Sequence, residues 1–329
     1  MKMPNEAHPW NGIGSFARLF RTVEKTLGVW LWVLVFAILF SLLSPYFFGI
    51  LNFMNIARQA SIIGLLAIGM TLVIITGGID LSVGSVISLV SAVFGVVWRS
   101  TNSMWAAVIL AFLTGVASGV FNGVLISWVG VPAFIATFGM MGIGSGLAFA
   151  LTAGSIGDFP LKFDYLGNGI FLGLPVPVII LIFLTLVFHY VLRKTVYGSR
   201  ILAIGGNELS SSMAGISIKK YKFSVYLING CLAALAGIIL CARIRSSYPG
   251  IGQDLELDVV AAAVIGGANL MGGYGSIVGA IGGGFFISMI QNIFNLLGVY
   301  PFMQKVITGI FIVIAVLANQ IKSRKKKLR

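Results

Sequence analysis

Apolar runs close to the length of a bilayer-crossing helix recur through this chain, and they constrain its fold more than any other feature. A helix needs about 20 predominantly apolar residues to cross about 30 Å of hydrocarbon. Such runs cover residues 27–44, 60–76, 82–97, 105–128, 133–152, 174–192, 223–243, 258–271, 276–297 and 302–320. In lipid every backbone polar group must be satisfied internally, so only helices and closed barrels span. Barrel strands alternate apolar and polar residues in segments of about ten, a pattern these continuous runs do not follow. The expectation is an all-α integral membrane protein with about ten transmembrane helices, broken at Gly-rich junctions. Composition excludes the soluble alternative: only 9% of the 329 residues are charged, against about a quarter in a typical soluble domain. The run from Leu27 to Leu43 is long for a removable leader, and no small-residue cleavage site follows it.

The net charge of +13 gathers in short stretches between apolar runs. That placement signals topology and contact with anionic membrane lipid, not a nucleic-acid-binding face. Residues 1–25 carry Lys2, Arg18, Arg21 and Lys25. Segment 193–222 carries Arg193, Lys194, Arg200, Lys219, Lys220 and Lys222 against Glu208 alone, and the tail 321–329 is mostly basic. These three read as cytoplasmic. Segments 153–173 and 244–258, with Asp158, Asp164, Asp254, Glu256 and Asp258, read as external. An even number of crossings then places both termini inside. The chain divides into an amino-terminal segment 1–25, a transmembrane domain 26–320 and the tail 321–329. Phe16, Leu19, Phe20 and Val23 recur at helical spacing, so Ser15 to Lys25 is expected to lie on the membrane surface. Cys231 and Cys241 share one apolar run and form neither a disulfide framework nor metal spacing.

Segment 193–222 has helix signals of its own. Gly205-Gly206 turns the chain, Asn207 is suited to cap a helix, Glu208 favours its positive end, and Gly215 ends it. A short cytoplasmic helix over about 208–214 is expected.

Three stretches together resemble the permease subunit of bacterial ABC sugar importers of the ribose/xylose/arabinose/allose class. They are Gly69-Met70-Thr71-Leu72-Val73-Ile74 running into Gly77-Gly78-Ile79-Asp80-Leu81-Ser82-Val83-Gly84-Ser85, Ala203-Ile204-Gly205-Gly206-Asn207-Glu208 with Gly215-Ile216, and Glu256-Leu257-Asp258 followed by 264–273. The resemblance implies a bacterial inner-membrane protein with a second permease subunit, identical or different. It also implies a cytoplasmic ABC ATPase subunit carrying ATP and Mg, and a periplasmic sugar-binding protein. No cofactor is expected on this chain. The second stretch resembles the coupling helix that rests on the ATPase, which assigns that role to Gly206, Asn207, Glu208, Ser210, Ser211, Ala214 and Gly215. The three serines Ser210, Ser211 and Ser212 depart from the Ala-Ala-basic pattern common there.

Several polar side chains interrupt the apolar runs. Asp80 lies in a helix break with Ser82 and Ser85 after it, where it either lines a solute pathway or caps the next helix. Asn269 in Gly266-Gly267-Ala268-Asn269-Leu270 echoes Asp80 in its own Gly-rich break. Ser288, Gln291, Asn292 and Asn295 form one stripe at helical spacing, facing either a pathway or a neighbouring helix. Gly115, Gly119 and Gly123, and likewise Gly279 and Gly283, are spaced for close helix packing.

An enzyme is not expected. No Gly-Lys dipeptide occurs, so there is no P-loop, and neither His8 nor His189 is placed to activate Ser145 in a membrane protease. The expected activity is monosaccharide import by alternating access. An ABC permease for another solute and an ion-coupled transporter are the alternatives.

Overall fold

The computed structural model describes residues 28–152, 154–300, 302–310 and 313. The expected surface helix at 15–25, the tail and residues 311, 312 and 314–320 of the run 302–320 lie outside these. Helix α1 is Val29–Leu43, stopped at Ser44 by Pro45, which disfavours helical geometry in the residue before it. Then come α2 (Ile50–Ile75), α3 (Val83–Thr101), α4 (Met104–Val124, continued by a π turn at Leu125–Val129) and α5 (Ala133–Leu151). A short helix α6 (Leu161–Asn168) and a two-stranded ribbon, β1 (Ile170–Phe171) against β2 (Leu174–Pro175), lead into α7 (Val176–Lys194). The remainder comprises α8 (Val196–Gly206), α9 (Glu208–Met213), α10 (Ile218–Ile244), α11 (Leu255–Ile265) and α12 (Ile277–Leu296).

Among the described residues seven helices are long and apolar enough to cross a membrane: α2, α3, α4 with its π turn, α5, α7, α10 and α12. The count of about ten is therefore not reached by complete helices. The run 258–271 yields only the 11-residue α11, because Gly267, at φ +95°, releases the backbone from helical geometry. α1 has 15 residues. Conversely, α2 begins ten residues before the apolar run at 60–76, since Asn52, Asn55, Arg58 and Gln59 are helical but polar.

α2 forms the centre. Every residue from Ala60 to Ile75 is buried, against α10, α11 and α12. A helix apolar all round needs such surroundings or lipid. Ser61 and Thr71 donate to the carbonyls of Ala57 and Ala67 at 2.7 and 2.6 Å, leaving no hydroxyl unpaired inside it. By contrast α1, α5 and α7 expose Leu42, Phe149, Phe183 and Leu186, as lipid-facing helices do.

Small residues set the closest approaches. A Cβ on Gly115 would strike Ala234 at 2.5 Å, one on Gly119 the Tyr226 carbonyl at 2.7 Å, and one on Gly123 the Phe223 ring at 2.7 Å, all on α10. Gly279 and Gly283 lie similarly against Gly266 and Ala262.

The connections gather at two ends. Segments 153–173 and 244–258 meet through the Ile156–Ser247 bridge. At the opposite end Gly273 donates its amide to the Ile75 carbonyl at 2.9 Å, wedging the loop after α11 between the ends of α2 and α8. The acidic segments thus share one end, with α8 and α9 of the basic segment at the other.

Candidate functional site

Among the described residues two polar clusters between the apolar helices bear on a site. The first surrounds Asp80. Past α2, Gly77 takes φ +81° and the chain turns. Asp80, 3% exposed, accepts through Oδ1 from the Ser82 amide at 2.9 Å and the Ser82 hydroxyl at 2.6 Å. Its Oδ2 accepts from Asn229 of α10 at 2.8 Å. Asn122 of α4 donates to Ser82 Oγ at 2.9 Å, and Thr137 of α5 to the Ile79 carbonyl at 3.2 Å. Ser85 donates to the Ser82 carbonyl at 2.8 Å. One carboxylate thus closes an Asx turn at the start of α3 and ties the break to α10, while its Ser82 partner holds α4. The space between these residues has no room for a water-sized molecule. Asp80, Ser82 and Ser85 thus form a tightly filled junction that ties the start of α3 to α4 and α10.

Asn269 repeats this turn chemistry. Its Oδ1 accepts from the amide two residues on, Met271, at 3.3 Å, and its Nδ2 donates to the Gly272 carbonyl at 2.9 Å. It lies in the loop beside Gly205, at the opposite end of the molecule from the serine–amide stripe of α12.

The second cluster does leave space. At the end where the acidic segments lie, a cavity of about 380 Å³ is lined by Asn55, Ile56 and Gln59 of α2, Arg243 of α10, and Ser288, Gln291, Asn292 and Asn295 of α12. The whole α12 stripe faces it. Arg243 Nη1 donates to Gln59 Oε1 at 2.6 Å, Gln59 Nε2 to Gln291 Oε1 at 3.5 Å, and Gln291 Nε2 to Asp258 Oδ2 of α11 at 2.7 Å. Asn52 and Asn292 exchange a reciprocal pair of bonds at 2.9 and 2.7 Å. The hydroxyl of Ser288 is buried without a hydrogen-bond partner, a state proteins generally avoid unless a water, an ion or a ligand completes it. Asn55, Gln59, Arg243 and Asp258 were not among the expected site residues. Asn52, Asn55 and Gln59 carry the same signal as the α12 stripe, at i, i+3 and i+7, but they lie ahead of the apolar run at 60–76.

Helix α6 braces this end. A Cβ on Gly167 would overlap the backbone of Arg243, so only glycine admits α10 there. Asn168 donates to the Arg243 carbonyl at 2.8 Å and to Asp164 at 2.7 Å, and Arg245 grips both oxygens of Asp164 at 2.8 Å each. Hydrogen bonds from Arg245 and Asn168 bring the Asp164 carboxyl down to about 2.

At the opposite end α9 is capped by Asn207, whose side chain accepts from the Ser210 amide at 2.9 Å. Gly215 at φ +79° ends the turn, with Ile216 N–H returning to the Ser211 carbonyl at 3.1 Å. Glu208 meets Lys222 at 2.6 Å. Ser211 is buried, Ser210 and Ala214 face outward, and Leu209 and Met213, one turn apart, are exposed at 68% and 80%. Gly206 stands against Gly273.

A bundle of apolar helices with a polar cavity at one end and a capped helix at the other defines a multi-pass membrane transport subunit. Residues 52–316 match the family described as branched-chain amino acid transport system permease component, and the chain belongs to that family. It is 41% identical to the ribose import permease protein of Bacillus subtilis over 311 residues, 92% of this chain and 95% of that one. It is 41% identical to the Escherichia coli K12 ribose import permease protein (88% and 92% covered) and 34% to the L-arabinose transport system permease protein of the same strain (90% and 91%). No solved structure matches.

Proposed function

We infer that this chain is the membrane-spanning permease subunit of an ATP-driven importer carrying a monosaccharide across the inner membrane. The observation that carries the reading is the polar cavity between α2, α10 and α12. Of its eight lining residues only Ile56 is apolar. Amides, a hydroxyl and a guanidinium suit a solute covered in hydroxyls and give little contact to a branched aliphatic side chain. The relatives named for ribose and arabinose support the same class.

In this reading the cavity faces the periplasm and receives sugar from a binding protein, while α9 rests on a separate ATPase subunit that holds ATP and Mg. Leu209 and Met213 are the apolar anchors it offers. Ten crossings, counting α1, α11 with its loop and the run 302–320, put both termini in the cytoplasm and agree with the placement of basic residues. A second permease subunit completes the pathway, in the simplest case another copy of this chain. ATP biases the pair between outward and inward states because it binds one of them better.

The test is uptake of ribose by the chain reconstituted with its ATPase and binding protein. Gln291→Ala is expected to abolish most uptake while the complex still assembles, and normal uptake would defeat the cavity assignment. Gly215→Pro is expected to leave ATP hydrolysis running without uptake, because its φ of +79° is closed to proline.

A further inference from the structure

The chain of bonds across the cavity has a direction. A guanidinium only donates, so Arg243 turns the Gln59 carbonyl oxygen toward itself. The Gln59 amide nitrogen is then left to point at Gln291, which receives it on oxygen. Gln291 therefore turns its own nitrogen to Asp258, and a carboxylate, which only accepts, is what it meets. The orientation of a glutamine amide is ordinarily ambiguous and must come from its bonding network. Here a donor-only group at one end and an acceptor at the other demand the same arrangement.

The links are unequal. The outer two measure 2.6 and 2.7 Å, and the Gln59–Gln291 link between them measures 3.5 Å, at the limit of a hydrogen bond. Both glutamines line the cavity beside the unpartnered Ser288 hydroxyl. The weak link is the one facing open space.

Resting on the reading of this cavity as the solute site, we propose that Arg243 and Asp258 are positioning residues that hold Gln59 as a fixed donor and Gln291 as a fixed acceptor. The site then selects a solute hydroxyl that enters between them, accepting from Gln59 and donating to Gln291. A group that only accepts, such as fluorine or a methyl ether, leaves Gln291 Oε1 unpaired. Sites that bond a hydroxyl reject analogues lacking it because their own buried groups are stranded. Asp258, behind the cavity wall, sets this preference through Gln291, and Arg243, on the wall itself, sets it through Gln59.

The experiment measures uptake of ribose against its monodeoxyfluoro analogues by the complete complex in proteoliposomes. Ratios are compared between wild type and variants with the same binding protein, so that protein's own selectivity cancels. In wild type one fluoro position is expected to be rejected by at least about tenfold. Asp258→Asn, which can donate as well as accept, frees Gln291 to turn, and the ratio at that position is expected to fall toward one. Gln59→Glu keeps the bond to Arg243 and replaces the donor by an acceptor, so the ratio is expected to rise. Ratios equal to wild type in both variants would overturn the proposal. If Asp258→Asn does not assemble, Gln59→Glu decides alone. The two readings fail separately: full uptake by Gln291→Ala removes the cavity as the solute site, whereas lost uptake with unchanged ratios removes only the polarised pair.

Discussion

The Asp80 junction and the outer cavity are built from the same materials, carboxylate, amide and hydroxyl set among apolar helices, yet one is filled and the other is open. Around Asp80 the side chains and backbone fill the space, and both carboxylate oxygens and the Ser82 hydroxyl are engaged. Around Gln291 about 380 Å³ is left, one link is stretched to 3.5 Å, and a buried hydroxyl has no partner. A polar cluster within a membrane domain is therefore not a pathway by virtue of its polarity. Unfilled volume is what distinguishes the two, since Asn122 Oδ1 and Asn229 Oδ1 beside Asp80 are also buried without partners.

The largest expected effect falls on the junction. Asp80→Ala strands the Ser82 amide and hydroxyl and the Asn229 amide, and each such buried group costs about 1–3 kcal/mol. Assembled protein is expected to disappear from membranes, read by blotting and by size-exclusion in detergent. A well-assembled Asp80→Ala protein lacking uptake would break the comparison by making Asp80 a pathway residue.

A pair of serines sharpens it further. Ser82→Ala removes a hydroxyl that donates to Asp80 and accepts from Asn122, and is expected to lower stability by about 1–3 kcal/mol. Ser288→Ala removes a hydroxyl with no partner, so stability is expected to hold or rise slightly while ribose uptake falls several-fold. Matching losses of stability in both would dissolve the distinction.

The smallest effect lies at the brace on the cavity rim. Hydrogen bonds from Arg245 and Asn168 depress the Asp164 carboxyl to about 2. Its contribution is therefore fully present above the ordinary carboxylate value of about 3.9 and is lost as pH falls toward 2. Because the Arg245 side chain is 53% exposed, solvent screening holds the effect to about 1 kcal/mol or less. Asp164→Asn is expected to lower the melting temperature slightly at pH 7, with the gap to wild type closing below pH 3. A gap that persisted there would assign the loss to packing.

Much of this was legible in the sequence because lipid makes span length and polar stripes informative. The spacing of Ser288, Gln291, Asn292 and Asn295 marks one helix face wherever the helix lies. Asn207 and Gly215 announce the ends of α9 through their own backbone chemistry. The opposite wall was harder. Asn55 and Gln59 stand ahead of the apolar run that marks α2, where polarity reads as loop, and Arg243 and Asp258 sit at helix ends where charge reads as topology. Their convergence is tertiary. The eighth run, 258–271, yields only the 11-residue α11, because apolar composition does not reveal that the chain leaves helical geometry at Gly267.

The most direct test of the cavity is labelling of Ser288→Cys, in a background with Cys231 and Cys241 replaced by serine, using a membrane-impermeant thiol reagent on the assembled transporter without ATP. The account predicts labelling from the periplasmic side, slowed progressively by added ribose and unaffected by a sugar the complex does not transport. A thiol that reacts at the same rate at every ribose concentration, or that never reacts from that side, would contradict it.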